Sequence, residues 1–220
     1  SGNHRKNMVQ SVEHSLRRLK TDYIDLLYLH VWDGRTPVDE ILRSFDDLVR
    51  AGKILYVGIS DTPAWQASRM QAIAALRGWS PLVALQIPYS LAERTVERDL
   101  IPMASEMGMG VLPWSPLAGG ILSGKYGQSD LGSKPGSASA GLGSRKDINL
   151  ATGRLTGRSL AIATTVKEVA QEIGRTSAQV ALAWTLRNPA VVSTIIGVRT
   201  FAQFEDNRAA LELNLSDEQS

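Results

Sequence analysis

The sequence predicts an α/β protein built on a parallel sheet. Apolar segments typical of strands alternate with amphipathic helices, in a unit that repeats about every thirty residues. The predicted strands end, mostly in polar or aromatic residues, at His30, Ser60, Tyr89, Ser115 and Gly197. No Gly-x-Gly-x-x-Gly follows a strand, so the glycine turn of an open dinucleotide-binding sheet is absent. Loops that face one shared site favour a (β/α)8 barrel, with about five of its eight β-α units in this chain.

The first β-α unit contains the first candidate functional residue. A helix is predicted over residues 8–20, with Val9, Val12, Leu16 and Leu19 on its apolar face. The strand at 24–30 is a nearly continuous apolar run, which predicts burial on both faces. It ends in His30, whose imidazole is either a functional group at the carboxyl end of the strand or a core histidine.

Two Thr-Pro pairs predict the next helix starts. Thr36 and Thr62 are expected to be N-caps, with Pro37 and Pro63 at the first helical positions. The first of these helices ends at Gly52. Its predicted apolar stripe consists of Val38, Ile41, Leu42, Phe45, Leu48 and Val49. A strand is predicted at 54–60, before the second helix at 64–76.

The second half of the chain continues the alternation around a long connection. The capping box Thr176-Ser177-Ala178-Gln179 predicts the start of one helix. The Gly- and Ser-rich residues 118–157 are expected to form a long loop, which is usually a functional lid or a disordered segment. The other predicted elements are strands at 82–89, 110–115 and 192–197 and helices at 93–107, 160–173 and 200–211.

The composition predicts no nucleic-acid, membrane or metal partner. The 220 residues are 43% hydrophobic, and 24 basic against 22 acidic side chains leave a net charge of +2. No cluster of Lys or Arg predicts nucleic-acid binding, and no apolar window predicts a membrane span. There is no cysteine, and the three histidines are far apart in the chain, so no metal site is expected. A cytoplasmic location is expected.

Five motifs stand in order at the strand ends, and together they resemble the aldo-keto reductase family. The motifs are Leu27-Tyr28-Leu29-His30, Val57-Gly58-Ile59-Ser60-Asp61, Leu85-Gln86-Ile87-Pro88-Tyr89, Pro113-Trp114-Ser115-Pro116-Leu117 and Ile196-Gly197-Val198-Arg199-Thr200. The branch they resemble contains aryl-alcohol-dehydrogenase-like and ion-channel-β-subunit-like reductases. The resemblance implies hydride transfer from NADPH to a small aldehyde or ketone. It also implies a single barrel domain over residues 1–220, the C-terminal two-thirds of the family's domain.

The resemblance implies roles at the first three strand ends. His30 matches the active-site histidine that orients the substrate carbonyl and stabilises the oxyanion. Trp32 would be a wall of the substrate pocket, or else a surface-loop aromatic. Ser60, Asp61 and Gln86 match the residues that hold the nicotinamide carboxamide. Asp61 stands where the family has Asn, and an N-cap role shared with Thr62 is the favoured alternative.

The fourth motif matches the nicotinamide and pyrophosphate sites. Trp114 corresponds to the aromatic ring on which the nicotinamide stacks, with core packing as its alternative. Ser115, Leu117, Gly119 and Lys125 fall where the family wraps the pyrophosphate. Gly119 to Lys125 also resembles part of a phosphate-binding P-loop, but Tyr126 replaces the hydroxyl residue that holds Mg²⁺, which excludes nucleotide hydrolysis.

The last motif matches the site of the adenosine 2′-phosphate. Gly197, Arg199 and the helix start that follows combine a guanidinium with free backbone N–H groups. Gln203 and Asn207 would lie on the adenine side. Thr200-x-x-Gln203 also reads as a capping box, which is the alternative for Gln203. Arg199 favours NADP over NAD.

The resemblance also implies a general acid that is absent from these residues. The family's tyrosine, with its lysine and aspartate partners, belongs to the first three β-α units. Tyr28, Tyr56 and Tyr89 are not expected to replace it. Two hypotheses therefore stay open: an NADPH-dependent carbonyl reductase of which this chain is the C-terminal part, or an NADP-binding or regulatory module without catalysis.

Overall fold

The computed structural model describes residues 2–131 and 144–220. Its strands are β1 (Ile24–Leu29), β2 (Ile54–Ser60), β3 (Leu82–Pro88) and β4 (Gly110–Trp114). Its α-helices are α1 (Arg5–Leu19), α2 (Val38–Arg50), α3 (Ala64–Arg77), α4 (Leu100–Glu106), α5 (Arg145–Ala151), α6 (Gly157–Glu172), α7 (Ser177–Leu186) and α8 (Phe201–Arg208). Short 3₁₀-helices cover Thr95–Glu97, Ala118–Ser123, Gln128–Asp130 and Ala209–Glu212.

The described residues divide into two compact units. The first contains the residues up to Ile87 together with Glu97–Leu112. The second contains Pro88–Val96 and the described residues from Pro113 onward. The boundary between them crosses β4 and falls within the helix predicted at 93–107, which is instead a 3₁₀-turn followed by the shorter α4. Asp99 starts α4, because its carboxylate accepts a hydrogen bond from Leu100 N.

The first unit is organised around a parallel sheet. β2 pairs in parallel with β1 on one side and with β3 on the other, and the strand order is β1-β2-β3-β4. Leu29 faces Ile59 and Ser60 faces Gln86 across the ladders, so the strands end at a common edge. Helical crossovers between neighbouring parallel strands are the arrangement that the sequence predicts.

The prediction that β1 is buried on both faces is wrong. Only Leu29 of this strand is buried, Asp25 is exposed, and the other residues are half-buried. The physical reason is the position of β1, which pairs with β2 alone within the described residues and is an edge of the sheet. The central strand β2 is the better-covered one, with its last four residues buried.

The helices of the first unit bury most of their predicted apolar faces, while Val9 of α1 is only half-buried. The α2 stripe is buried apart from Val49, which is half-buried. Full burial of one such apolar side chain contributes about 1.5–3 kcal/mol. Helix α1 buries Met8, Val12 and Leu16, whereas Leu19 is 65% exposed, because it is the last helical residue before left-handed Lys20.

Both Thr-Pro helix starts are shifted by one residue. Pro37 and Pro63 are themselves the N-caps, with extended ψ angles of 137° and 146°. The hydroxyl of Thr36 donates to the carboxylate of Asp33, and that of Thr62 donates to the carbonyl of Ser60. Both threonines are therefore held by the preceding loop and do not cap the helices.

The second unit is packed around α7. All residues from Ala178 to Thr185 are buried, and α7 contacts α6, α8 and the 3₁₀-helices at Ala118–Ser123 and Ala209–Glu212. The predicted capping box is confirmed, since Thr176 accepts from Gln179 N and the Gln179 side chain accepts from Thr176 N. Helix α6 starts three residues before the prediction, where Thr156 is the N-cap.

Two predictions for the second unit are wrong. The connection at 118–157 contains α5 and two 3₁₀-helices, because local capping by Ser144 and Asp147 starts a helix there. Its residues 132–143 lie outside the described residues. Residues 192–197 form no strand, and Ile195 N donates one hydrogen bond to Pro113 O at 2.8 Å. The final helix α8 ends at Arg208, before the 3₁₀-helix Ala209–Glu212.

Candidate functional site

The ends of β2 and β3 lie side by side in the first unit. Ser60 is completely buried, and its hydroxyl donates to the carbonyl oxygen of Gln86 at 3.0 Å. The parallel register makes this contact, because Ser60 and Gln86 are directly paired residues. The structure thus brings together two of the three residues predicted to hold a carboxamide, and Gln86 is half-buried at the strand end.

Asp61, the third of these residues, has a left-handed backbone. Its φ is +43° and its side chain is exposed. Asp and Asn are the non-glycine residues that tolerate this conformation best, which explains why either type can occupy the position. The alternative of a helix N-cap is wrong, because Pro63 occupies that position.

His30 follows the end of β1 and is exposed. The alternative of a core histidine is therefore wrong. The loop after it is fixed by two side chains that the sequence reasoning missed. Asp33 N donates to the Asn3 side-chain oxygen at 2.6 Å, and Asn3 N donates to the Asp33 carboxylate at 2.8 Å. Asn3 also donates from its amide to Val31 O at 2.9 Å.

The carboxylate of Asp33 is the most strongly perturbed group of this loop. Backbone N–H groups of Asn3, Thr36 and Arg35 donate to it, and so does the Thr36 hydroxyl. These donors, with the bond from Asn3 as the largest cause, hold the pKa of Asp33 well below its usual range. An Asp-x-x-Thr spacing before a helix was a usable sequence signal for this turn.

Trp32 lies within the same loop and is half-buried. Its ring packs edge-on against Trp65 of α3, with centroids 5.7 Å apart and an interplanar angle of 85°. Its indole N–H is buried and has no partner among the described residues. One polar atom and part of the Trp32 ring are thus covered, and its role as a pocket wall stays a prediction.

Tyr28 points its ring over the backbone of β2. A Cβ on Gly58 would lie 2.5 Å from this ring, so only glycine fits beneath it. Burial raises the pKa of the Tyr28 phenol, whose hydroxyl has no partner among the described residues. A raised pKa makes the phenol a weaker acid. That Tyr28 does not replace the general acid stays a prediction.

In the second unit, a loop with left-handed residues follows β4. Ser115 and Ala118 have positive φ angles of 55° and 48°, and Gly119 and Gly120 have 66° and 89°. Left-handed non-glycine residues cost about 1–3 kcal/mol each, so the surrounding contacts must hold them in this conformation. The Ser115 hydroxyl accepts from Gly119 N at 3.1 Å, and Leu117 O accepts from Gly120 N at 2.8 Å.

Asn149 holds this loop from α5, and the sequence reasoning missed it. Its side chain is completely buried and donates to Gly119 O at 3.1 Å. A Cβ on Gly119 would lie 2.3 Å from the Asn149 side-chain oxygen, and one on Gly120 would lie 2.6 Å from Lys125 Nζ. Gly119 is therefore held on both sides by Ser115 and Asn149, and no side chain can replace its hydrogen.

Trp114 is half-buried at the end of β4, next to this loop. The Arg154 guanidinium lies over its ring, 5.4 Å from the centroid. Arg154 lies between α5 and α6 and was not singled out from the sequence. Core packing alone does not describe Trp114, since a cation covers one of its ring faces.

The last group of predicted residues lies at the start of α8. Thr200 caps α8 by accepting from Gln203 N at 3.2 Å, but the Gln203 side chain accepts from Arg199 N at 2.8 Å and not from Thr200 N, so only half of the capping box is formed. Arg199 and Gly197 are exposed, whereas Asn207 is buried. Both hydrogen bonds of Gln203 join residues of this group, and neither involves the loop after β4.

No cluster of three or more His, Cys, Asp or Glu side chains in 2–131 and 144–220 is arranged to hold a metal ion. Among the same residues, no helix is long and apolar enough to cross a membrane.

Comparisons with known proteins identify the family. The family model of the aldo/keto reductases matches residues 1–220. The chain belongs to the aldo/keto reductase family. The resemblance read from the strand ends is thus confirmed, and so is the α/β class with the (β/α)8 barrel of this family. Four of the barrel strands are described, and not the five that were predicted.

Three relatives illustrate the range of proteins to which this chain is similar. It is 40% identical over 207 residues to the uncharacterized oxidoreductase YrpG of Bacillus subtilis, covering 94% of this chain and 59% of that protein. It is 37% identical to the norsolorinic acid reductase of Aspergillus flavus, covering 99% of this chain and 52% of that protein. It is 34% identical to the aryl-alcohol dehydrogenase [NADP(+)] of Phanerodontia chrysosporium, covering 99% and 55%. The chain therefore spans little more than half the length of these relatives.

Proposed function

We propose that the full-length protein reduces a small aldehyde or ketone with NADPH as hydride donor. The observation that carries this proposal is the loop after β4, where Ser115 and Asn149 fix Gly119 in a left-handed conformation. Its glycines offer backbone without side chains, next to an indole ring and a lysine. Such a surface suits a pyrophosphate and a flat ring more than it suits a packed core.

The residues present fit the nicotinamide cofactor of the family. A Cβ on Gly119 would collide with the Asn149 side chain and one on Gly120 with Lys125 Nζ, so the loop keeps backbone without side chains at both positions. We assign Ser115, Leu117, Gly119 and Lys125 to the pyrophosphate and Trp114 to the nicotinamide ring. The bound cofactor would supply the hydride. Ser60, Asp61 and Gln86 are assigned to the carboxamide, and the buried Ser60 hydroxyl would hold the Gln86 backbone in position by donating to Gln86 O.

NADP is proposed over NAD on the basis of Arg199. Its guanidinium is exposed at the start of α8, where free backbone N–H groups favour an anion. Gln203 would act by holding the Arg199 backbone in place, and Gly197 and Asn207 would complete the adenosine side. The name of the Phanerodontia relative, which includes NADP(+), supports the same cofactor.

His30 is the residue that we assign to the substrate. An exposed neutral imidazole at a strand end can donate one hydrogen bond to a carbonyl oxygen, which gains negative charge as hydride arrives. Asn3 and Asp33 keep the following loop in one conformation, and Trp32 would line the pocket. The relatives named as reductases and dehydrogenases favour catalysis over the alternative of a non-catalytic NADP-binding module. A cytoplasmic location stays a prediction.

The first test is NADPH oxidation by the full-length protein with an aromatic aldehyde. His30→Ala should lower kcat/KM by about 10²–10³-fold, because it removes a donor aimed at the developing oxyanion. His14→Ala is the matched control, since His14 is an exposed residue of α1. No turnover by wild-type protein across a broad carbonyl panel would reject the proposed function. Equal activity of the two variants would reject the role of His30.

A further inference from the structure

Arg154 has an unusual position for an exposed surface residue. Its guanidinium lies 5.4 Å from the centroid of the Trp114 ring. This cation–π contact uses the same indole that the proposed function assigns to the nicotinamide. A cation is thereby placed next to the one part of the cofactor whose charge changes during the reaction.

The backbone on both sides of Arg154 is anchored, so this placement is not that of a free surface side chain. Asn149 O accepts from Arg154 N at 2.9 Å and from Leu155 N at 3.1 Å. The hydroxyl of buried Ser159 donates to Arg154 O at 2.8 Å. Gly153, with φ +65°, lets the chain turn just before the arginine.

Asn149 connects this turn to the loop after β4. Its backbone carbonyl holds Arg154, and its side-chain amide holds Gly119 O at 3.1 Å. A single buried residue therefore fixes both the guanidinium-bearing turn and the glycine loop. The relative position of Arg154 and Trp114 is set by packing within the second unit.

We propose that Arg154 sets the preference of the cofactor site for reduced over oxidised nicotinamide. This inference rests on the proposed function, in which Trp114 stacks on the nicotinamide. The guanidinium lies over one face of this indole, so a ring that stacks on the other face would be separated from the charge by the indole alone. The oxidised ring carries a positive charge and the reduced ring is neutral, so only the oxidised form is repelled. Arg154 therefore favours NADPH binding and NADP⁺ release.

The exposure of Arg154 limits how strongly its charge can repel the oxidised nicotinamide. Arg154 is exposed, so water screens the repulsion and keeps it well below that of a buried pair of like charges. A change of about three- to tenfold in the ratio of the two dissociation constants is expected. Because the repulsion is electrostatic, raising the ionic strength should reduce it.

The test is calorimetric titration of the full-length protein with NADPH and with NADP⁺. Arg154→Gln removes the charge and should lower the ratio Kd(NADP⁺)/Kd(NADPH) by about three- to tenfold at low salt. Arg154→Lys keeps a cation and should retain most of the wild-type ratio. Arg158→Gln, an exposed arginine in the first turn of α6, should leave the ratio unchanged.

The outcomes separate this inference from the proposed function. If wild-type protein binds neither form, the proposed function fails and the inference fails with it. If it binds both forms and Arg154→Gln leaves the ratio unchanged, only the inference is overturned. The inference is also overturned if Arg154→Lys shifts the ratio as far as Arg154→Gln does, because a loss of packing, and not of charge, would then explain the change.

Discussion

Helix α3 contains two glutamines that differ in whether their side-chain amides are hydrogen-bonded. The Gln71 amide donates to Leu82 O at 3.2 Å and accepts from Leu82 N at 2.9 Å, which ties α3 to the start of β3. Gln66 is completely buried, and neither of its side-chain polar atoms has a partner among the described residues. A buried polar group without a hydrogen bond costs about 1–3 kcal/mol.

The same substitution should therefore have opposite effects at these two positions. Gln66→Met should raise the free energy of unfolding by about 1–3 kcal/mol, because an apolar chain of similar length replaces the unpartnered amide. Gln71→Met should lower it by a similar amount, since Leu82 loses both partners. Urea denaturation of the full-length protein measures both changes. A decrease for Gln66→Met would show that its amide is satisfied in the folded protein.

At the scale of elements, the loop between β1 and α2 is the best-connected segment near His30. Asn3 and Asp33 exchange hydrogen bonds, and the Asp33 carboxylate also receives the backbone N–H groups of Arg35 and Thr36. The start of the chain, the loop and the entry to α2 are thus held by one carboxylate. Its charge makes these bonds stronger than neutral ones.

The stability of the protein should depend on the ionisation of Asp33. The pKa of Asp33 is lowered in the folded protein by the donors from Asn3 and Thr36, relative to about 3.9 in the unfolded chain. A lowered folded pKa contributes stability above the unfolded pKa, and this contribution is lost as the pH falls below about 4. Asp33→Asn should therefore be less stable than wild type at neutral pH, and the difference should shrink in acid.

Asp25→Asn, at an exposed residue of β1, is the control for denaturation curves at several pH values. A difference that stays constant down to pH values below about 3 would contradict the assignment.

The helix starts show which structural features can be predicted from neighbouring residues in the sequence. The capping box at Thr176 was predicted correctly, because its hydrogen bonds join residues three apart in the chain. The Thr36 and Thr62 caps were not, because each hydroxyl bonds to the preceding loop instead. The helix predicted at 93–107 is interrupted, since part of it packs in each compact unit.

At the scale of the whole molecule, cofactor binding should appear as stabilisation. A ligand that binds only the folded state at about 100 times its Kd adds about 2.7 kcal/mol to the free energy of unfolding. NADPH should therefore raise the melting temperature of the full-length protein more than NADH does, because Arg199 is proposed to bind the 2′-phosphate. Arg199→Gln should abolish most of this difference, by weakening NADPH binding about tenfold or more.

Arg175→Gln, at another exposed arginine of the second unit, serves as the control. Equal shifts by both cofactors with wild-type protein would argue against the NADP preference.

The α/β alternation, the family and most element positions could be predicted from the amino-acid sequence. Strand β2, the buried face of α2 and the box at Thr176 all depend on residue spacing within a few positions, which the chain order alone encodes. The five motifs at the strand ends indicated the family by their resemblance to it, because their residues and their order are read directly along the chain.

The tertiary structure alone decided which of these residues are covered and by what. The contact of Asn149 with Gly119 and that of Arg154 with Trp114 join residues that are far apart in the chain. The partial exposure of β1 and the burial of unpartnered Gln66 depend on packing from several elements. No local pattern encodes such contacts, because their energies depend on distances that only the folded chain sets.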